Sequence, residues 1–216
     1  MVRGRVPNRI AIVGASERNH HAASLIQNLQ RFNFPSENLF LVNPRYETLM
    51  GKPCYPRLTE IPDHVDLAVL AIPPGPTLKV LEDVVEKNVK ALLLVATGFG
   101  EFNEQGLKLQ EEIAHIANRH TISICGPNTL GFFSPQGGAA LWTSPLPKEL
   151  QTGSIGAVFH SSGLLNLLSD DDGPAPAAAD DRRAHARRAR HLRRAAAGVL
   201  RRGVRPAGAA RGAGAD

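Results

Sequence analysis

The chain has 216 residues, 43% of them hydrophobic, and a formal net charge of +5, which suits one large soluble domain or one and a half. No apolar run approaches the roughly 20 residues of a membrane span, so no membrane-spanning helix is expected. Residues 171–216 carry eleven Arg against five Asp, leaving a net charge of −1 on residues 1–170. The body therefore lacks the electrostatic footprint of a nucleic-acid binder, and nucleic acid is not expected as its partner.

The N-terminal MVRGRVPNR has no apolar core of a secretion signal. Two cysteines, Cys54 and Cys125, lie far apart in sequence. Both features point to a reducing cytoplasm rather than to a disulfide-stapled secreted domain.

Residues 10–13, IAIV, form a short β-branched run closed by Gly14, the pattern of a strand buried on both faces. From His21 the apolar spacing changes, and Ala22, Leu25, Ile26, Leu29 and Phe32 share one helical face. A strand, a small-residue turn at Gly14-Ala15-Ser16 and a helix make the first half of a βαβ unit. Such a turn favours phosphate, because free N–H groups and the positive end of the helix dipole meet there. The GxGxxG fingerprint is incomplete: Ser16 holds the second glycine position and Asn19 the third.

Residues 35–38 read as a turn and residues 39–42 as a second strand, stopped by Asn43-Pro44. Gly51, Pro53, Pro56 and Pro62 make residues 45–63 an irregular connection. A third strand is expected over 66–72 and ends at Pro73-Pro74-Gly75-Pro76. The next helix spans about 77–88, with Leu78, Leu81, Val84 and Val85 inward. Residues 90–96 form a fourth strand and leave through Thr97-Gly98-Phe99-Gly100. An amphipathic helix over 104–119 turns Leu109, Ile113, Ile116 and Ala117 to one side. A fifth strand at 122–125 ends at Gly126-Pro127-Asn128, and 139–142 and 155–159 are two further short strands.

Strands alternating with helices imply an α/β fold: a Rossmann-like parallel sheet with helices on both faces. Ligands in such folds bind beyond the carboxyl ends of the strands. The exits at 14–19, 43–46, 73–76, 97–101 and 126–131 are all rich in Gly, Pro, Ser, Thr or Asn, which let backbone N–H groups approach a ligand. Arg18 and Arg45 are the two cations at these exits, and Glu17 stands beside the former.

The motifs IAIVGAS, LVNPRYETLMGKPCYP, VDLAVLAIPP, ATGFGE and CGPNTLG, in this order, resemble the CoA-binding domain of NDP-forming acyl-CoA synthetases, relatives of the succinyl-CoA synthetase α subunit. The resemblance covers about residues 8–168. It implies a domain at 8–150 that binds coenzyme A. Gly14, Ala15 and Ser16 would lie near the phosphates, with Asn43, Pro44 and Arg45 at the nucleotide end. Ile72, Pro73 and Pro74 would flank the adenine or pantetheine, Thr97 and Gly98 the pantetheine arm, and Asn128 the thiol end. Relatives carry Gly and Lys where this chain reads ERNHHAA. The adjacent His20 and His21 read as surface residues rather than as a metal site, and no metal is expected.

Residues 151–169 resemble the start of the family's second domain, with Ser161-Ser162-Gly163 opening a helix that in relatives faces a phosphohistidine. Nothing downstream matches the phosphohistidine region, and no ATP-grasp module is present. No catalytic residue is assigned, and the chain is expected to need an ATP-grasp domain or subunit for ligase activity. From residue 170 the composition becomes Arg, Ala, Gly, Pro and Asp, which cannot bury enough apolar surface to order itself. The abrupt change reads as a frameshift or a gene-model error, with residues 170–216 a disordered tail and the second domain truncated. Two alternatives stand beside the CoA assignment. One is an NADP-binding Rossmann module of an oxidoreductase or redox sensor, since Asn43-Pro44-Arg45 replaces the acidic residue of NAD sites. The other is nucleic-acid or partner binding through the Arg-rich tail.

Overall fold

The computed structural model describes residues 7–134 and 139–146. The expected strand at 155–159, the second-domain start at 151–169 and the tail at 170–216 lie outside the described residues.

Within these bounds the chain builds strand β1 (Ile10–Val13), helix α1 (His20–Arg31), and strands β2 (Leu39–Val42), β3 (Thr48–Leu49), β4 (Lys52–Tyr55) and β5 (Leu67–Leu70). Helix α2 (Thr77–Glu86), β6 (Ala91–Leu94), α3 (Glu104–His120), β7 (Ser123–Cys125), β8 (Gly131–Ser134) and β9 (Ala139–Trp142) follow. The seven-stranded sheet has the order β3-β4-β2-β1-β5-β6-β7. Every neighbouring pair is parallel except β3–β4.

Two apolar layers follow from the period-2 alternation of the strands. Ile10, Ile12, Leu39, Leu41, Leu67 and Val69 face one way and meet Ala22, Leu25, Ile26 and Leu29 of α1. On the opposite face Ala11, Val13, Phe40, Ala68, Leu70 and Leu92 meet Leu81 and Val84 of α2 and Ile113 and Ala117 of α3. Strands buried on both sides are why β1, β2 and β5 read as unbroken apolar runs.

The sequence reading needs one topological correction. Residues 45–63, expected to be irregular, supply β3, β4 and a 3-10 turn at Leu58–Glu60. Strand β4 pairs in parallel with β2 through Leu41–Cys54 and Val42–Tyr55. The prolines mask it, but Pro53 is exposed and β4 lies near the sheet edge, where a missing donor is tolerated. The β8–β9 hairpin covers the α1 face: Leu141 joins that core layer, and Asn28 of α1 reaches it. Asn28 Nδ2 donates to the carbonyls of Trp142 and Ser144, each at 2.8 Å, and Asn28 Oδ1 accepts from the Leu146 amide at 3.2 Å.

Candidate functional site at the strand exits

Because β4, β2, β1, β5, β6 and β7 run in parallel, their carboxyl ends share one edge of the sheet. Chain direction across the sheet reverses between β1 and β5. From β1 the chain steps to β2 and β4 on one side, then returns to β5, β6 and β7 on the other. The crevice of a doubly wound sheet opens at such a point.

The exits touch one another in the order of the strands. Between β2 and β1, the Gly14 amide donates to Val42 O at 2.9 Å and Asn43 Nδ2 donates to Ala15 O at 2.8 Å. The hydroxyls of Ser16 and Tyr46 approach to 3.4 Å, which folds the VNPRY loop over the first turn. Between β1 and β5, Gly14 has φ +84°, and a Cβ there would lie 2.5 Å from the Ala71 carbonyl oxygen and 2.6 Å from Ile72 Cγ2. A residue without a side chain is the only one that admits both the left-handed backbone and this approach. Between β5 and β6, Gly98 packs against the Pro74 ring. Between β6 and β7, the Asn128 amide donates to Ala96 O at 2.9 Å.

Most of the sequence-picked residues therefore meet in two groups. Gly14, Ala15 and Ser16 lie with Asn43, Pro44 and Arg45 on one side and with Ile72, Pro73 and Pro74 on the other. Thr97 and Gly98 continue the ledge from Pro74. Asn128 stands at its far end, about 14 Å or three strand spacings from β1.

Helix α1 starts one residue earlier than its apolar spacing indicates, because Asn19 caps it. Asn19 Oδ1 accepts from the Ala22 amide at 3.3 Å, and Asn19 Nδ2 donates to Ala71 O at 2.7 Å and Gly14 O at 3.2 Å. Asn before an apolar helical face is an N-cap signal that could have marked this residue in the sequence. The amides of Ser16, Glu17, His20 and His21 have no partner among the described residues. Arg18 and Arg45 are exposed, and neither guanidinium has a partner among the described residues. The Arg45 backbone is fixed, since its amide donates to Asn43 Oδ1 at 3.0 Å.

At the β6 exit Glu101 folds back on its own loop, and its Oε1 accepts from the Gly98 amide at 2.7 Å. Desolvation by its loop pushes the pKa of this exposed carboxyl up, but the amides of Glu101 itself, Gly98 and Phe99 outweigh it and hold the pKa below the usual carboxylate value. The Gly98 amide is thus engaged within the protein. Burial raises the pKa of the Cys54 thiol, beneath the β2 exit, so that thiol is neutral packing rather than a nucleophile. No group of three or more His, Cys, Asp or Glu among the described residues could hold a metal ion.

A parallel sheet with helices on both faces, a reversal point, and a glycine turn with open amides beside it define a Rossmann-like α/β domain. Residues 8–135 match the family described as CoA binding domain, and the chain belongs to that family. Among curated proteins it is 28% identical over 165 residues to "Acetate--CoA ligase [ADP-forming] II" of Archaeoglobus fulgidus, covering 76% of this chain and 24% of that protein. It is 29% identical over 167 residues to "Acetate--CoA ligase [ADP-forming] I subunit alpha" of Pyrococcus furiosus, covering 74% of this chain and 35% of the subunit. Among solved structures, the Ca. Korarchaeum cryptofilum dinucleotide-forming acetyl-coenzyme A synthetase 1, in complex with phosphate and ADP, aligns with a TM-score of 0.62 and 30% identity. That alignment covers 68% of this chain and 31% of the other. The chain thus spans only 24% to 35% of the length of these relatives. None of these matches favours the NADP or nucleic-acid alternatives. No helix among the described residues is long and apolar enough to cross a membrane.

Proposed function

We propose that this domain binds coenzyme A along the carboxyl edge of its sheet and serves as the CoA platform of an NDP-forming acyl-CoA synthetase. The single observation that carries this is the continuous ledge from the VNPRY loop across the Gly14 turn to Pro74 and Gly98, on a chain that belongs to the CoA-binding family. An elongated ligand with a pyrophosphate near one end suits a ledge several strands long whose open amides are concentrated at one place. The pyrophosphate takes the amides of Ser16, Glu17 and the first turn of α1. Arg45, charged and without a partner in its side chain, meets the 3′-phosphate. Pro73 and Pro74 supply an apolar wall for adenine or pantetheine, and Asn128 lies toward the thiol.

Acyl transfer itself belongs to other parts of such an enzyme. The named P. furiosus relative is an alpha subunit, and we place an ATP-grasp domain or subunit as the partner of this chain as well. The cytoplasm suits both the thiol of CoA and the unpaired Cys54 and Cys125. Isothermal titration with CoA, dephospho-CoA, NAD and NADP tests the assignment. CoA should bind with one site per chain, dephospho-CoA more weakly, and the nicotinamide dinucleotides least. Tighter binding of NADP than of CoA would replace this function with the oxidoreductase alternative.

A further inference from the structure

We infer that Asn19 and Asn43 are the positioning residues of the phosphate turn, holding its peptide planes so that the Ser16 and Glu17 amides face the ligand; this rests on the CoA assignment above. All three carbonyls of the turn are engaged on the protein side. Gly14 O accepts from Asn19 Nδ2 at 3.2 Å, Ala15 O from Asn43 Nδ2 at 2.8 Å, and Ser16 O from the Asn19 amide at 3.2 Å.

In a trans peptide the N–H points opposite to the C=O. The Ala15 carbonyl turned toward Asn43 therefore sends the Ser16 N–H the other way. The Ser16 carbonyl turned toward Asn19 does the same for the Glu17 N–H. The unit between Gly14 and Ala15 shows the rule at work: its carbonyl meets Asn19, and its N–H meets Val42 O at 3.3 Å. Were either plane to flip, a carbonyl oxygen would face the phosphate and repel it.

The two asparagines anchor this arrangement from opposite sides. Asn19 ties the turn to β5 through Ala71 O at 2.7 Å and caps α1 through Ala22. Asn43 is itself fixed, since its amide donates to Tyr55 O at 2.9 Å and its Oδ1 holds the Arg45 amide. Where a dinucleotide fingerprint relies on further glycines to shape the turn, this chain has Ser16 and Asn19 and shapes it with side-chain amides. Asn43 thus acts through Ala15 and Arg45, and Asn19 through Gly14 and Ser16, rather than by touching the ligand.

Asn19→Ser and Asn43→Ser separate this role from local folding. Serine still caps a helix and still accepts from the amide two residues on, but it is too short to reach Ala71 O or Ala15 O. Titration of wild type and both variants with CoA and with pantetheine, which lacks the phosphates, reads the difference. Each variant should bind CoA about three- to tenfold more weakly, the range for loss of one or two neutral hydrogen bonds. Pantetheine affinity should stay within about twofold, because the phosphates alone use these amides. Wild-type CoA affinity in both variants, or an equal loss for CoA and pantetheine, overturns the inference. Failure of the wild-type protein to bind CoA removes the underlying assignment and the inference with it. A second measurement needs no variant. In amide NMR spectra of the wild-type protein, saturating CoA should shift the Ser16 and Glu17 N–H signals more than the side-chain NH2 signals of Asn19 and Asn43. The reverse order would make the asparagines ligand contacts and also overturn it.

Discussion

Gly14→Ala should destabilise the domain by about 2–5 kcal/mol. Two terms set that figure. The backbone at Gly14 has φ +84°, and holding a Cβ in the left-handed region costs about 1–2 kcal/mol. The added methyl would also lie 2.5 Å from the Ala71 carbonyl oxygen and 2.6 Å from Ile72 Cγ2. The carbonyl cannot retreat freely, because Ala71 is held by its amide's bond to Val13 O at 2.9 Å and its carbonyl's bond to Asn19. Forcing the β1 and β5 exits apart costs a further ~1–3 kcal/mol, the scale of an overpacked core. Gly51→Ala is the control: its φ is +73°, but nothing lies within 4 Å of the new methyl, so only the first term applies. Urea unfolding of the two variants, followed by circular dichroism and compared at unchanged m-value, measures the difference. A Gly14→Ala loss no larger than that of Gly51→Ala would refute the close approach of the two exits.

Three further outcomes follow from other parts of the fold. Arg45→Ala should weaken CoA by about 1.5–3 kcal/mol, the worth of a charged hydrogen bond, and dephospho-CoA by less; equal losses would move Arg45 off the 3′-phosphate. Asn28→Ala removes its three bonds, to the Trp142 and Ser144 carbonyls and from the Leu146 amide, and should cost about 2–4 kcal/mol in urea unfolding, against about 1 kcal/mol if the hairpin is loosely held. Glu101 has a depressed carboxyl pKa in the folded protein, so its contribution is complete above the ordinary value of 4.5 and is lost as pH falls through the lower folded value. Glu101→Gln should therefore flatten the acid limb of the stability–pH curve below about pH 4.5 and leave its neutral region parallel to wild type; an unchanged acid limb would show that the loop does not hold the carboxylate.

Much of this architecture was legible because parallel strands buried on both faces announce themselves as apolar runs. Ile10–Val13 and Leu39–Val42 keep the bounds that the sequence indicates. Strands expected at 66–72 and 90–96 shorten to Leu67–Leu70 and Ala91–Leu94, since apolar runs continue past the last paired residue into the exits. Strand β4 was hidden because Pro53 and the flanking Gly and Pro residues signal a loop, and only pairing with β2 makes Lys52–Tyr55 a strand. The exits were legible as turns, and the motif order pointed to the CoA-binding family. What sequence could not supply was the direction of each side chain. Asn43, picked as a ligand contact, turns its amide to Ala15 O, and Asn19, passed over as a missing glycine, reaches β5. Tyr46 over Ser16 and Glu101 on the Gly98 amide depend on loops distant in sequence or folded back on themselves, which no periodicity records.

A crystal structure of the protein with CoA bears most directly on the central claim. The pyrophosphate should appear between the β1 and β5 exits, within hydrogen-bonding distance of the Ser16 and Glu17 amides, with the 3′-phosphate toward Arg45 and the pantetheine arm running past Pro74 toward Gly98. Pyrophosphate density away from the Gly14 turn, whether at the opposite end of the sheet or in the groove between α2 and α3, would contradict it.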